Sequence, residues 1–494
     1  MIILDGKSLT IEKLVKACKG EKLQISSHGR KRMRESSKIV STALNKRIPV
    51  YGVTRGLGAR SIERLNENSL STFSEKTLLG RAQAIGETES YVIIRASLII
   101  RLNTLLLGHT GANETLADHL LSCLNAGLTP EIGKIGSIGP ADLIPNASIG
   151  LALIGKGRLS DKNESGEASE MLHRNEIQPL KLGPRDGLAL ASHSGVTVGT
   201  ITLAHSEIEN NFEALQSATC LSLEAFRANL SPIDEKVLAV KPLPGQKEAG
   251  KDLRKRLSDS KLWKPEQARR LQDPLSLRNV VQIHGALKLA LMHSKEIIDI
   301  ELNGSSDNPV TLINSGEIVP SGAYYTAELS LVCEGVSRAL LSVSMAQISR
   351  LAKVLDPRFS ELTMGLSPIE SQSSGFGPVM KTAEALVAEI AHLSAPPSIW
   401  PSIGAYGVED TMSSGPVAAR SLMDIASKSR TLIAIEIMIA VQAIEIRGCK
   451  NDMGPFLRKC FETCRSISSP LIEDRPLTED IKNIEDAILS GCFS

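Results

Sequence analysis

The chain is poor in the aromatic residues that many protein cores use. Aromatic residues make up 3% of the 494 residues, with five Tyr and two Trp. A core of this size must therefore be built mainly from aliphatic side chains, which favours packed helices over a β-sandwich. We predict an all-α fold, and the sequence shows no internal repeat.

The sequence also lacks an excess of charge of either sign. Lys and Arg number 56 and Asp and Glu number 55, which leaves a formal net charge of +1. Proteins that bind nucleic acid or anionic membranes usually concentrate positive charge. We therefore expect no nucleic-acid partner, and we expect the ligand to be a small molecule.

Signals for metal binding, membrane insertion and secretion are missing too. The eight Cys form no CxxC pair, and no His lies near them at zinc spacing, so no metal is expected. No apolar run approaches the ~20 residues that span a bilayer, and the first ten residues do not resemble a secretion signal. These absences predict a cytoplasmic protein without a membrane partner.

Long helical patterns dominate the C-terminal part of the chain. Apolar residues recur at helical spacing in four windows, 278–300, 323–355, 373–394 and 413–447. Helices of this length predict a central bundle. The stretch 430–445 has so few polar residues that we expect it to be buried against other subunits.

The N-terminal part has more loops. Three glycines fall within residues 51–58, and a second glycine-rich stretch lies at 133–150. We predict a loop-rich helical domain over residues 1–190. A second domain, residues 191–494, would contain the long-helix bundle and the C-terminal helices.

Several short motifs follow one another in a distinctive order. They are YGVTRGLG (51–58), GSIGPADLIP (136–145), GPRDGLAL (183–190), QDPLSLR (272–278), QIHG (282–285), SDNP (306–309), SGF (374–376), TAEAL (382–386) and VED (408–410). In order and spacing these motifs resemble the histidine and phenylalanine ammonia-lyase family, over roughly residues 5–450. The resemblance implies the helical ammonia-lyase and fumarase-like fold, assembled as a homotetramer whose active sites each combine loops from three subunits.

One family feature is missing. The family makes an electrophilic methylidene-imidazolone from a consecutive Ala-Ser-Gly, in which the glycine nitrogen attacks the alanine carbonyl and the serine loses water. Here Gly139 is followed by Pro140, Ala141 and Asp142, so both the serine and the attacking glycine are absent. We therefore expect no such cofactor, and no other cofactor is implied.

The missing electrophile suggests a class of substrate. In the family, the electrophile bonds to the substrate amine and makes it a better leaving group. A quaternary ammonium has no lone pair for that bond and already leaves as a neutral amine. The loss therefore points to a betaine.

An ergothionase branch of the family, which this sequence resembles, lacks the electrophile and eliminates trimethylamine from ergothioneine to give thiourocanate. We expect that reaction here. Alternatives are a cofactor-free lyase acting on another substrate, such as hercynine, histidine or an aspartate-like acid, and a homologue without catalytic activity. Ser305 and Ser306 faintly resemble the serine loop of fumarase and aspartase.

The resemblance also suggests roles for individual residues. Tyr51 would remove the β-proton of the substrate, and Arg278 with Asn308 would bind its carboxylate, a task that suits the planar fork of arginine. Lys381 and Glu409 would face the thio-imidazole ring.

The remaining assignments concern charge around the substrate. Tyr324 would offer its ring face to the trimethylammonium group. A tyrosine base needs nearby positive charge to lower its pKa, so we assign that task to Arg55 or Arg81 and also expect Arg81 to bind substrate. Lys381 lies in an apolar helical segment, so we expect a buried ammonium, unless it pairs with Glu384 one turn away.

Overall fold

The computed structural model describes residues 1–65, 67–368, 373–399 and 404–494, and for residues 67–71 and 405 it describes the backbone alone. Helices predominate, which confirms the predicted fold class. The chain divides into two compact units, each assembled from three segments. The first unit comprises residues 1–206, 295–333 and 396–420, and the second comprises residues 207–294, 334–395 and 421–494.

Four long helices contribute residues to both units. They are Gly195–Phe226, Val280–Glu301, Ala327–Leu355 and Gly415–Arg447. Three of them, together with the helix Gly377–Leu393, match the four windows that the sequence predicts. Because each long helix contains residues of both units, the units are interleaved along the chain. The division into domains at residue 190 stays a prediction.

The first unit combines shorter helices with small sheets. Its helices are Ile11–Cys18, Ser27–Asn45, Glu67–Leu79, Tyr91–Leu105, Glu114–Ala126, Leu143–Leu153, Ala168–Arg174, Asp186–Ala191 and Gly404–Gly407. Its strands are Ile2–Leu4, Leu23–Ile25, Ile85–Thr88, Thr129–Pro130, Gly133–Ile135, Arg158–Ser160, Ser165–Glu167, Val310–Leu312 and Glu317–Val319. The first two pair in parallel with Ile2 opposite Leu23, and the other pairings are antiparallel.

Local sequence explains where these helices begin and end. The helix Glu114–Ala126 begins after Asn113, whose side chain accepts a hydrogen bond from the Thr115 N–H at 3.1 Å. It ends at Gly127, which adopts a left-handed conformation with φ +80° that glycine tolerates without strain.

Among the described residues of the second unit, helices are the regular elements and no strand is present. Besides its share of the long helices, it contains Glu235–Leu238, Pro244–Arg256, Leu275–Arg278, Pro357–Ser360, Gly377–Leu393, Pro455–Ile467 and Thr478–Leu489. Every residue from Leu432 to Ile444 is buried within the single chain. The expectation that the stretch 430–445 needs other subunits for its burial is therefore wrong, because neighbouring parts of the same chain already cover it.

Two stretches are long and apolar enough to cross a membrane. They are residues 186–226 and 327–355, and 83% and 50% of their most apolar parts are buried inside the protein. Core helices have the same length and composition. These two stretches are therefore weak indicators of a membrane protein.

The second unit contains a buried ion pair. Arg350 and Glu436 are both fully buried, and their closest atoms, Nε and Oε1, are 2.6 Å apart. Glu436 also accepts hydrogen bonds from Ser222 Oγ at 2.8 Å and Gln347 Nε2 at 2.9 Å. The carboxylate is thus satisfied on both oxygens, as burial of a charge requires.

We expect the substitution E436Q to lower the free energy of unfolding by about 3 to 5 kcal/mol, because it leaves the Arg350 charge buried without its counter-ion. The matched control is E462Q, which removes an exposed pair with Lys450 at 3.1 Å. That change should cost less than about 1 kcal/mol. Denaturant unfolding measures the free energy of unfolding of both variants. Equal losses would show that the buried pair stabilises the protein no more than the exposed pair does.

Candidate active site

The tyrosine of the glycine-rich loop is held at both its backbone and its hydroxyl. The N–H groups of Val53, Thr54 and Arg55 all point to the Val50 carbonyl, at 3.0 to 3.2 Å, and close a tight turn around Tyr51. The Tyr51 hydroxyl accepts a hydrogen bond from the Gly58 N–H at 2.9 Å. This bond fixes the position of the hydroxyl within the loop.

Gly52 lets this loop lie close to the helix Asp186–Ala191. It has φ +65°, and a Cβ at this position would be 2.3 Å from Leu188 Cδ2. Only glycine fits both the backbone conformation and the space. The loop of Tyr51 is thereby packed onto a helix that begins inside the GPRDGLAL motif.

A cavity of about 810 Å³ opens beside Tyr51 in the first unit. Its lining includes five of the eight residues that the sequence assigns to the site, namely Tyr51, Arg81, Asn308, Tyr324 and Glu409. These residues come from five separate loops or helix ends. The fold therefore brings together residues that are up to 358 positions apart in the chain.

The cavity also contains polar residues that the sequence did not single out. Arg60, Ser137 and Ser192 line it, and Arg60, Arg81 and Glu409 are the charged residues in its lining. Arg60 ends a short turn of helix, Gly58–Arg60, directly after the glycine-rich loop. Its place two residues beyond Gly58 was a signal that could have identified it.

The segment that replaces the cofactor triplet forms part of the cavity wall. Pro140 and Ala141 line the cavity, and the Ala141 N–H donates to the Tyr324 carbonyl at 2.9 Å. Thr326 Oγ1 donates to the Gly139 carbonyl at 3.2 Å. These bonds connect the altered segment to the loop that contains Tyr324.

Asp142 anchors the same segment from behind. Its fully buried carboxylate accepts hydrogen bonds from the Thr197 N–H and the Thr197 hydroxyl, both at 2.8 Å, and from Ser137 Oγ at 2.9 Å. Burial raises the pKa of Asp142 from its ordinary value, although these donors oppose the shift. Since Ser137 lines the cavity, this network extends from the buried side to the cavity surface.

Tyr324 lies close to two groups that can be negatively charged. Burial raises the pKa of Tyr324 from its ordinary value, and the nearby Tyr51 and Glu409 raise it further. Tyr324 therefore stays protonated at neutral pH. Its neutral ring and the acidic neighbours together form a surface that suits a cationic group.

Asn308 lies in the cavity wall, next to a buried hydrogen-bond network that includes Asp307. Its Oδ1 accepts a hydrogen bond from the Ser321 N–H at 3.0 Å, so the Nδ2 group is the end that can donate to a ligand. The preceding residue, Asp307, is buried and bonded to Arg101 Nη2 at 2.8 Å. This arrangement fixes the position of Asn308 in the cavity wall.

Three predicted residues lie elsewhere. The Arg55 guanidinium donates to the Ile62 carbonyl at 2.7 Å and is not part of the cavity lining. Arg278 and Lys381 belong to the second unit, where the Arg278 guanidinium donates to Gln272 Oε1. The structure thus groups five of the eight residues and leaves these three apart.

The expectation of a buried Lys381 is wrong. Lys381 is exposed on the helix Gly377–Leu393, whose buried face consists of Ala383, Val387 and Ile390. Its position two residues before Ala383 directs it away from that face. In the described part of the chain, no ion pair joins Lys381 to Glu384.

Comparison with known proteins identifies the family. A model of the aromatic amino acid lyase family matches residues 9–466. The chain belongs to this family. Its fold and its sequence relatives make it a carbon–nitrogen lyase.

Individual lyases resemble the chain over its whole length. Histidine ammonia-lyase from Natranaerobius thermophilus is 29% identical, over 99% of this chain and 97% of that protein. Among solved structures, ergothionase from Treponema denticola in complex with desmethyl-ergothioneine sulfonic acid is 29% identical, with a TM-score of 0.94 and coverage of 100% of this chain and 99% of that chain. Histidine ammonia-lyase from Trypanosoma cruzi is 26% identical, with a TM-score of 0.92 and coverage of 100% and 94%.

The residues of this lyase do not fit the family's methylidene-imidazolone. Residues 139–142 contain no serine to lose water, and the Ala141 N–H is already bonded to the Tyr324 carbonyl. Ser137 donates to Asp142 and is separated from Ala141 by three residues, so it cannot replace the missing serine. Among the described residues, no group of three His, Cys, Asp or Glu side chains is placed to hold a metal ion.

The close packing of residues 139–142 against Ser413 can be tested with G139A. Gly139 has φ +113°, and a Cβ there would be 2.0 Å from Ser413 Oγ. Gly20 has a similar φ of +108° with no atom within 4 Å of a Cβ, so G20A is the matched control for backbone strain. We expect G139A to destabilise the lyase by about 1 to 3 kcal/mol more than G20A, because it adds a steric clash. Thermal unfolding measures the difference, and equal losses would contradict close packing of this segment against Ser413.

Proposed function

We propose that this lyase eliminates trimethylamine from ergothioneine to give thiourocanate, without a methylidene-imidazolone. One observation underlies the proposal: Pro140 and Ala141 occupy the cofactor segment, while Tyr51 and the polar residues around it still share one cavity. The similarity to the Treponema denticola ergothionase over the full chain supports it.

The chemistry explains why such an enzyme has no need of the electrophile. The amino group of histidine is a poor leaving group and must be modified before its bond to the α-carbon breaks. The trimethylammonium group of a betaine takes the bonding electrons with it and leaves as neutral trimethylamine. Removal of a β-proton then suffices to form the double bond, and a positioned base provides typically 10²–10⁴-fold of the acceleration.

The cavity suits these steps. Tyr51, with a hydroxyl oxygen that accepts a backbone N–H, takes the β-proton. Tyr324 and Glu409 lie together and provide a neutral ring face and a negative charge for the cation. The Asn308 amide and the Arg81 guanidinium are donors for the substrate carboxylate.

Two further residues would complete the site from neighbouring subunits. All described lining residues of the cavity belong to the first unit, whereas Arg278 and Lys381 belong to the second. In our proposal the chain forms a homotetramer, in which Arg278 of one subunit binds the carboxylate and Lys381 faces the thio-imidazole ring in a site that contains Tyr51 of another. The exposure of Lys381 on its own chain agrees with such a role.

The aspartate-like alternative finds less support. Ser305 Oγ donates to Asp307 Oδ2 at 2.8 Å, and Ser306 Oγ accepts the Ser194 N–H at 3.2 Å. Neither serine lines the cavity among the residues that the structure describes. The Ser305 hydroxyl thus belongs to the hydrogen-bond network of the buried Asp307, and the Ser306 hydroxyl binds the backbone at Ser194.

The substrate is tested with a panel of ergothioneine, hercynine, histidine, and fumarate with ammonia. We expect ergothioneine to be turned over fastest, with release of trimethylamine measured by mass spectrometry and formation of the conjugated acid followed by absorbance. The substitution Y51F should lower that rate by about 10²–10⁴-fold, since it removes the base. Turnover of histidine with neither betaine consumed would overturn the proposal.

Shared active sites are tested by mixing two inactive variants. Y51F and R278M, unfolded together and reassembled, should regain activity in about a quarter of the sites by random assortment, if each site takes Tyr51 and Arg278 from different subunits. Each variant reassembled alone is the control. No recovery in the mixture, with tetramers formed, would place both residues in the same subunit's site.

A further inference from the structure

The cavity wall contains a serine whose hydroxyl is bonded to a buried carboxylate. Ser137 lines the cavity, and its Oγ lies 2.9 Å from Asp142 Oδ1 and 3.1 Å from the Ala141 carbonyl oxygen. A hydroxyl has a single proton, and the carboxylate of Asp142 is both the nearer and the stronger acceptor. Ser137 therefore donates to Asp142, and its oxygen keeps two lone pairs.

One of these lone pairs is available to a ligand. The Gly139 N–H donates to Ser137 Oγ at 3.3 Å and occupies the other lone pair. In the described part of the chain, no further donor is bonded to this oxygen. The cavity wall thus has, at Ser137, an oxygen that can accept from a ligand but has no proton to donate to it.

The carboxylate behind this serine has only neutral partners. Besides the Ser137 hydroxyl, Asp142 accepts hydrogen bonds from the Thr197 N–H and the Thr197 hydroxyl, both at 2.8 Å. No Lys or Arg lies within ion-pair distance of Asp142 among the described residues. By contrast, the buried carboxylate of Asp307 is bonded to Arg101 at 2.8 Å. The three donors favour the ionised form of Asp142 against the cost of burial, but they do not cancel its charge.

This negative charge lies next to the loop that contains Tyr324. The Ala141 N–H donates to the Tyr324 carbonyl at 2.9 Å, and Thr326 Oγ1 donates to the Gly139 carbonyl at 3.2 Å. Ser137 and Tyr324 therefore belong to adjoining segments of the cavity lining. Because charges interact more strongly away from bulk water, the Asp142 carboxylate attracts a cation that binds at these segments.

We infer that Ser137 is a binding residue for the cationic group of the substrate, and that Asp142 is the positioning residue that orients the Ser137 hydroxyl and provides negative charge behind it. This inference rests on the proposed function, in which the substrate has a trimethylammonium group. The methyl groups of such a cation share its positive charge and contact acceptor oxygens through their C–H bonds. Ser137 and Asp142 thus extend the surface that Tyr324 and Glu409 offer to the cation.

The test compares the binding of a cation and of its uncharged isostere to the intact protein, by titration calorimetry. The cation is N,N,N-trimethylhistamine, and in the isostere a tert-butyl group replaces the trimethylammonium group. We expect the parent protein to bind the cation more tightly than the isostere. D142N should weaken binding of the cation by about tenfold or more and change binding of the isostere little, because a negative charge is lost without a change in shape. S137A should weaken binding of the cation in the same selective way, by a smaller factor.

The matched control is S192A, which removes another serine hydroxyl from the cavity lining. Ser192 is bonded to no carboxylate in the part of the chain that the structure describes, so S192A should keep the parent's preference for the cation.

S137A keeps the inference testable if D142N does not fold, since Asp142 retains both bonds to Thr197 in that variant. A folded D142N or S137A with the parent's preference for the cation would overturn the inference. Equal or absent binding of the two ligands by the parent protein would do the same, and so would an equal loss in S192A. Because neither ligand has the substrate carboxylate and only binding is measured, failure of ergothioneine turnover would count against the proposed function and not against this assignment.

Discussion

The candidate site depends on a buried carboxylate, that of Asp307. It accepts hydrogen bonds from Arg101, Thr110 and Ser305, at 2.8 Å from each. Although burial alone would raise it, the charge and hydrogen bonds of Arg101 lower the pKa of Asp307 to about 2, so the group is ionised. A charge can be buried at this depth only when its partners are all in place, and the turn that presents Asn308 is fixed as a consequence.

A second connection links the loss of the cofactor to the shape of the cavity. Where other family members use a consecutive Ala-Ser-Gly, this chain has Pro140 and Ala141, and the Ala141 N–H is bonded to the Tyr324 carbonyl. The altered segment thus supports the ring that we propose to face the trimethylammonium group. In our proposal, residues 139–142 form no methylidene-imidazolone, and through Tyr324 they help to bind a betaine whose elimination does not require that group.

Much of the fold could be predicted from the sequence, because apolar residues recur at a clear helical spacing in the long helices. The windows 278–300, 323–355 and 413–447 were predicted from aliphatic spacing, and they contain the helices Val280–Glu301, Ala327–Leu355 and Gly415–Arg447 to within a few residues. The helix Gly195–Phe226 was not predicted, because small and polar residues interrupt its apolar pattern. The strands have two to four residues each, too few for an alternating pattern to be recognised.

Part of the candidate site could also be predicted from the sequence. Motifs quoted from the sequence contain or adjoin Tyr51, Asn308 and Glu409, and these residues do share one cavity. The buried pair of Asp307 with Arg101 was not predictable, since the two residues are 206 positions apart in the chain. The exposure of Lys381 was misjudged because the buried face of its helix is narrower than its apolar composition suggested.

Mass spectrometry tests most directly whether the chain works without a methylidene-imidazolone. The sample is denatured from a preparation that is releasing trimethylamine from ergothioneine. Formation of a methylidene-imidazolone removes two water molecules from the chain. We expect the peptide that contains residues 136–142 to have the full mass of its sequence. A mass short by two waters, with the loss located in the peptide that contains residues 136–142, would contradict it.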